Sequence, residues 1–346
     1  MFLKVLAKIV SLFLSAVMTL AAPLGLITGS REARIARAKE DCRVSFAAIS
    51  DTHLRSNFHL IFQGMLELGL TDMEKAKDKL DAVAFVGDLT DHGYYEMWDA
   101  FEDAVTKYDI ADNKLVVVGN HDTWGPNRDE FDNPVDGVKP TFIHYNKTIS
   151  DRDITEMYYS DVINGYYFIA LGSEADHTDA YISDTQLEWF AGEMEKAAAT
   201  GLPIFVFLHQ PLNGTHGLPY NWEREVDDPP EKGGIGEQSA QVEAILKQYD
   251  NVFYISGHIH GGLKNEGSRI GVEYASVEYM ENDNGNPITL INLPSYLYPD
   301  FVHGGHIANG CGWVVEAYDG EVLLRARNFA TGTWLTQYDQ TVKLAG

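Results

Sequence analysis

From Arg43 onward the chain repeats one pattern: a short, almost uninterrupted apolar run, a few Gly, Asp, Asn or His residues, then a longer stretch of helical period. The runs are Val44 to Ser50, Ala82 to Val86, Leu115 to Val118, Tyr166 to Leu171, Ile204 to Leu208 and Val252 to Ser256. A strand that is apolar at nearly every position must be covered on both faces, which restricts it to a sheet flanked by other layers. Between most of the runs, Phe58 to Leu80, Tyr94 to Tyr108, Asp184 to Ala199 and Ser239 to Gln248 place apolar residues three and four apart, the spacing of an amphipathic helix. The alternation predicts an α/β fold. After residue 268 the texture changes to Ile270 to Tyr274, Ile288 to Leu293, Cys311 to Tyr318 and Val322 to Phe329, separated by Gly, Asn and Pro, which predicts a second, largely antiparallel sheet. Thr123 to Gly165 and Gln210 to Gln238 read as long loops, either functional or mobile.

Residues 1–30 carry Lys4 and Lys8, then an uncharged run from Ile9 to Ser30. Such a segment reads as an export signal peptide, with small residues for cleavage around Thr19-Leu20-Ala21, or as a membrane anchor long enough to span a bilayer, the other reading being an ordinary buried helix, for which charge only at the start is a poor amphipathic pattern. The first two place the body outside the cytoplasm, secreted or membrane-anchored. Residues 31–42, of mixed charge, read as a linker, and 43–346 as the domain that carries the chemistry, with a strand-rich C-terminal part. Cys42 and Cys311 are too few for a disulfide scaffold; outside the cytoplasm they either form one bond or remain two thiols.

The chain has 346 residues, 45% of them hydrophobic, enough for a sizeable core, and its formal charge is −25. Removing residues 1–30 removes two lysines and no acid, so the body is more acidic still. A surface of that sign does not neutralise phosphates along a polymer, so general nucleic-acid binding is disfavoured. The chain has no Gly-x-Ser-x-Gly elbow, no Gly-x-x-x-x-Gly-Lys loop and no Gly-x-Gly-x-x-Gly, which disfavours serine hydrolases, P-loop NTPases and dinucleotide enzymes.

Five short motifs each follow a predicted strand: Asp51-Thr52-His53, Gly87-Asp88-Leu89-Thr90-Asp91, Gly119-Asn120-His121-Asp122, Leu208-His209-Gln210-Pro211 and Gly257-His258-Ile259-His260. In an open α/β sheet the crevice at the carboxyl ends of the strands is where ligands bind, so residues distant in sequence converge there. Asp51 and His53, like His258 and His260, are two apart, and an extended backbone points such pairs to one side. Carboxylate, imidazole and amide oxygen, with no thiolate, suit Mn, Fe, Zn, Ni or Co and no organic cofactor.

Taken together and in this order, the motifs resemble those of the calcineurin-like metallophosphoesterase superfamily, over residues 51–260. The resemblance implies a four-layer α/β/β/α sandwich, one metal held by Asp51, His53, Asp88 and His260, and a second held by Asp88, Asn120, His209 and His258. Asp88 would bridge. His121 would face the substrate, with Asp91 or Asp122 orienting its ring, Asp91 being the one the family pattern implies more often. Two divalent ions about 3.5–4 Å apart would lower the pKa of a bridging water toward roughly 7, giving a hydroxide that attacks phosphorus in line. His121 would then protonate the leaving alkoxide. The two dications would outweigh the carboxylates and hydroxide locally, so the site would attract a phosphate ester that the acidic surface repels. Diesters, with one negative charge, would suffer less from that surface than dianionic monoesters. The other reading is a non-catalytic interaction module on the same fold.

Several further residues are open to two readings. His59, His92, His144, His177, His216, His303 and His306 lie outside the motifs and read mostly as loop polarity, with His216 the best placed to approach a substrate; His303-Gly304-Gly305-His306 is either a second metal site or, for want of a nearby carboxylate, loop polarity. Trp124, Tyr145, Tyr158, Tyr159, Tyr220 and Trp222 either line a specificity pocket or pack their loops onto the body.

Overall fold

A computed structural model of the chain describes residues 41–55, 59–125, 134–174, 179–218, 233–263, 267–269, 272–297 and 310–346. The expected leader or anchor, most of the linker, and His177, Tyr220, Trp222, His303 and His306 lie outside the described residues. Among the described residues no helix is long and apolar enough to cross a membrane.

The predicted strands form where the apolar runs stand: β1 Val44–Ile49, β2 Ala82–Val86 and β3 Asn113–Val117, then β4 Tyr159–Ile163, β5 Tyr166–Ala170, β6 Ile204–Phe207 and β7 Val252–Ser256. β8 Gly267–Arg269 and β9 Val272–Tyr274 make a small hairpin; β10 Val277–Glu281, β11 Pro287–Asn292, β12 Cys311–Tyr318, β13 Glu321–Asn328, β14 Thr333–Trp334 and β15 Gln340–Lys343 follow. The helices are α1 His59–Glu74, α2 Tyr95–Thr106, α3 Pro134–Ser150, α4 Asp184–Ala198 and α5 Ser239–Leu246. α3 and β4 fall inside a stretch that reads from sequence as loop; α3 carries Pro140 in its interior, which hides the helix from any reading of propensity.

The strands make two large sheets, in the orders β14-β13-β12-β1-β2-β3, with β15 also on β13, and β10-β11-β7-β6-β5-β4. β1, β2 and β3 run parallel, as do β11, β7, β6 and β5. Apart from the β8–β9 hairpin, the described strands after residue 268 therefore do not make a sheet of their own. β11 and β10 extend one sheet, and β12 to β15 extend the other through an antiparallel pairing with β1.

Alternation along each strand builds the layers. Val44, Phe46 and Ala48 of β1 face a core between the sheets, where Phe46 meets Phe168, Phe205 and Phe207 edge-on at 5.1, 4.9 and 5.9 Å between ring centroids. Ala47 and Ile49 face a second core with Leu66 and Leu70 of α1, Trp98 and Phe101 of α2 and Phe142 of α3. Ile169, Val206 and Tyr254 face a third, with Phe190 and Met194 of α4 and Val242 of α5. This is the expected four-layer α/β/β/α order, with both sheets buried on two faces.

The same register separates the cysteines. Val44 pairs with Ala317 and Ala48 with Trp313, so Cys42 stands by one end of β12 and Cys311 is at the other. Eight residues of strand at about 3.3 Å each put them roughly 25 Å apart, far beyond a disulfide's reach. Both are free thiols.

Candidate metal centre

Each motif sits where its strand ends. Asp51 and His53 follow β1, Asp88 follows β2, Asn120 and His121 follow β3, His209 follows β6, and His258 and His260 follow β7. The first three strands belong to one sheet and the last two to the other, so side chains enter from both lips of the cleft between the sheets. Backbone bonds lock the loops together: Asp51 N donates to Gly87 O at 3.0 Å, His53 N to Asp88 O at 2.9 Å and Gly257 N to His209 O at 2.8 Å. Two glycines permit the close approach. A Cβ on Gly119 would lie 2.1 Å from Asp88 N, and one on Gly257 would lie 2.0 Å from Ser50 Oγ.

Asp51, His53, Asp88 and His260 bring one ligand-type atom each to within 4.8 Å of the others, and Asp88, His209 and His258 do the same. Asp88 belongs to both groups. His260 Nε2 stands 3.1 Å from Asp51 Oδ1, His53 Nε2 3.6 Å from Asp88 Oδ2, and His209 Nε2 3.1 Å from the same Asp88 oxygen. His53 and His260 approach Nε2 to Nε2 at 3.0 Å. Asn120 heads the short turn His121–Thr123 without capping it, and its buried Oδ1 has no hydrogen-bond partner. Val86 O holds His209 Nδ1 at 2.8 Å, which leaves Nε2 directed at the Asp88 carboxylate. A buried polar atom without a partner requires an explanation, and oxygen and imidazole donors crowded together fit a divalent cation.

The backbone is strained at the same residues. Asp51, His53, Asp88, His258 and His260 have φ of 58, 38, 49, 74 and 55°. For residues with a Cβ this region costs about 1–2 kcal/mol each, and it persists only where the surroundings impose it, most often at functional sites.

Charge within the cleft is tightly coupled. Burial alone would raise the Asp51 pKa, but His260, His53 and His209 hold it well below the carboxylate range. Asp88 is likewise held low against its burial by His209, His121 and His53. Burial opposes protonation of His53 and His209 too, yet Asp51 and Asp91 around the first, and Asp88 and Asp51 around the second, push each up to about 9. His258 goes the other way, its pKa pushed well down by burial and by His209. The two carboxylates thus demand positive charge beside them.

His121 adjoins this cluster, its ring centroid 4.7 Å from that of His53 and its amide donating to Asp88 Oδ1 at 2.9 Å. Burial lowers its pKa. The ring is oriented by Asp91, but through the backbone: His121 Nδ1 donates to the Asp91 carbonyl at 2.8 Å. The Asp91 carboxylate faces His53 Nδ1 at 3.3 Å and is clasped by Arg55 Nη2 at 2.9 Å and His92 Nδ1 at 2.8 Å. Asp122 does not orient His121. Fully buried, it accepts from the amides of Leu89, Thr90 and Gly119 and from Thr90 Oγ1, at 3.2, 2.8, 2.9 and 2.8 Å, binding the loop after β2 to the loop after β3. Burial and Asp88 push its pKa up to about 6.

Sequence reasoning misses Arg55, for which the only signal is its place just after Asp51-Thr52-His53. Of the candidate pocket aromatics that fall among the described residues, only Trp124 sits beside the site, 4.4 Å from His121 between ring centroids. Tyr145 and Tyr159 are buried, their hydroxyls bonded to Asp99 and Val116, and Tyr158 packs on Trp189. His216 is buried, its Nδ1 held by Ala275 O at 2.7 Å and its amide donating to Glu278. His144 is exposed.

Fold and site together define a two-sheet α/β/β/α protein with a carboxylate-centred candidate metal site in the cleft between its sheets. The chain belongs to the calcineurin-like phosphoesterase family, whose sequence profile matches residues 44–262. It is 25% identical over 232 residues to a protein of Arcobacter nitrofigilis described as a probable glycerophosphodiester phosphodiesterase, GpdQ, covering 61% of this chain and 70% of that one. In fold it is similar to a dimetal phosphatase from Danio rerio, with a TM-score of 0.56 and 12% identity over 88% of this chain and all of that one. It is also similar to the purple acid phosphatase PPD1 of yellow lupin seeds, with a TM-score of 0.56 and 12% identity over 87% of this chain but only 53% of the lupin protein. The family's site is a dinuclear metal centre, and the groups at Asp88 supply candidate ligands for one.

Proposed function

We propose that the protein is a metal-dependent phosphodiesterase. The observation that carries this reading is the pair of ligand groups that share Asp88. Asp51, His53, Asp88 and His260 would hold one ion, and Asp88, Asn120, His209 and His258 the other, both of Mn, Fe or Zn type. Divalent ions in such a site supply water activated for attack at neutral pH and positive charge for the phosphoryl oxygens.

The chain's own residues supply the rest. Asp91 braces His53 through Nδ1, leaving Nε2 for the cleft, the arrangement that fixes an imidazole ligand's orientation and raises its basicity. The Asp91 carbonyl fixes the proton of His121 on Nδ1, so Nε2 is the atom that exchanges a proton with the leaving oxygen. The buried walls keep that exchange away from bulk water.

Two observations favour a diester. The formal charge of −25 penalises a dianionic monoester more than a monoanionic diester, and the Arcobacter relative is described as a diesterase. The test is a paired assay of a nitrophenyl monoester and a bis-nitrophenyl diester, with Mn, Zn and Fe returned to stripped protein. Higher kcat/KM on the diester is expected. Much higher turnover of the monoester, at low and high salt alike, would overturn the preference; failure to take up stoichiometric metal would favour the non-catalytic module.

A further inference from the structure

A row of rings runs outward from the candidate metal centre. His121 meets His53 edge-on; Trp124 lies over His121 at 4.4 Å, tilted by 31°. His92 meets Trp124 at 5.4 Å, and Tyr94 stacks on His92 at 6.2 Å with the planes within 21°. The inner end of the row is buried and the outer end exposed. His53 is buried and His121 and Trp124 are half-buried, whereas the His92 side chain is 44% exposed and Tyr94 39%.

Aromatic residues in loops commonly pin the loop to the body. Among the described residues, His92, Tyr94 and Trp124 stand outside the hydrophobic clusters and pack on one another. The row is nevertheless held firmly from behind. A Cβ on Gly93, whose φ is +65°, would lie 2.4 Å from Asp122 O and 2.9 Å from Gly125 N, so the two loops that carry the rings touch backbone to backbone. Thr90 Oγ1 accepts the Gly93 amide at 3.0 Å while donating to Asp122, which ties the same loops together a second time. A surface fixed in advance loses little freedom on binding.

We propose that His92, Tyr94 and Trp124 form the leaving-group subsite and accept a planar aromatic ring; the proposal rests on the phosphodiesterase reading. The row begins at His121, the residue that serves the leaving oxygen, so a substituent on that oxygen passes directly along it. Trp124 lies over His121 and Tyr94 stacks on His92, and the two pairs meet edge-on at 61°, so the rings pack on one another as a stepped ledge and not around a void as in a cage for a quaternary ammonium group; a ring face on such a ledge is matched by a flat partner. The Arg55 side chain, 32% exposed and paired through Nη2 with the other side of the Asp91 carboxylate, adds a positive charge ill suited to a cationic head.

The test compares methyl 2-phenylethyl phosphate, methyl 2-cyclohexylethyl phosphate and methyl 2-trimethylammonioethyl phosphate on the metal-loaded protein. The first two leaving alcohols have similar basicity and apolar size, so their difference reports flatness. The phenyl ester is expected to have about fivefold higher kcat/KM, carried by KM, the size of an aromatic pair beyond its area. Trp124→Leu and Tyr94→Ala should each bring that ratio toward one, the second on a surface side chain whose loss does not threaten folding. Equal rates for the phenyl and cyclohexyl esters, or a ratio that survives both substitutions, would overturn the ledge. So would a preference for the trimethylammonio ester that the same substitutions abolish. Calorimetric binding of 2-phenylethyl and 2-cyclohexylethyl phosphate separates the two readings. Ring-selective binding without turnover of any diester leaves the subsite standing and removes the phosphodiesterase; turnover without selectivity does the reverse.

Discussion

Asp88 meets two demands at once: Oδ2 faces His53 and His209, while Oδ1 accepts the His121 amide. Asp88→Ala therefore removes a ligand from both groups and an anchor from the turn carrying His121. It should lose both metal, by elemental analysis, and activity. His121→Ala should keep metal and fold while kcat falls by roughly 10²–10⁴, the usual size of a general-acid contribution, in a steady-state assay; near-normal turnover would remove His121 from the reaction. That the candidate ligands meet in one cleft is legible in the sequence because short motifs at the ends of apolar runs express it. The target of the Asp91 carboxylate and the brace made by Asp122 are not, since both depend on which loop lies within side-chain reach. A thiol offers a test remote from the site. Burial, then Glu316, push the Cys42 pKa up to about 11, and burial pushes Cys311 up to about 12. Thiolate appears only as pH approaches the pKa, so alkylation of native Cys42 at pH 8 should be on the order of a hundredfold slower than that of a free cysteine and should rise steeply through pH 10. Fast alkylation at pH 8 would mean that the thiol lies open.

At the scale of elements, the loops after β2 and β3 act as one unit, and Gly93 is its tightest point. Ala at 93 needs the left-handed backbone region and also drives a Cβ toward Asp122 O. Gly201, with φ of +69° and nothing within 4 Å of the position a Cβ would take, carries the backbone cost alone. Gly201→Ala should lower stability by about 1 kcal/mol and Gly93→Ala by roughly 2–4 kcal/mol, read from urea midpoints at unchanged slope. Equal costs would show that the loops yield freely. The strands are readable for a related reason: a run such as Val83-Ala84-Phe85 is buried on both faces, and only a covered strand satisfies it. α3 escapes because Pro140 and its polar neighbours argue locally for a loop, and packing of Phe142, Tyr145 and Ile149 against the β3 side of the sheet overrides them. The C-terminal strands are legible as strands, but their partners are not. The apolar run of β12 implies burial on both faces and says nothing about whether β1 lies alongside.

The whole molecule is two sheets, each with its own helices, joined by a core of facing aromatic and aliphatic residues and by the cleft above it. Asp51, His53, Asp88 and Asn120 hang from one sheet; His209, His258 and His260 hang from the other. A cation bound there would join the two halves of the fold, and anything that binds the folded chain and not the unfolded one stabilises it by mass action. The strained backbone at the site makes the same point from the other direction, since it raises the free energy of the folded state and persists only where the surroundings impose it. Metal at about a hundred times its dissociation constant contributes roughly 2.7 kcal/mol, which for a chain of this size moves Tm by about 5 °C. Stripping the protein with a chelator should therefore lower Tm by about that amount, and Mn or Zn should restore it, while Asp88→Ala should melt at the same temperature with or without the chelator. A wild-type Tm indifferent to chelation in metal-replete protein would mean that the two sheets are not joined through a cation, and with it the shared role assigned to Asp88 would fall.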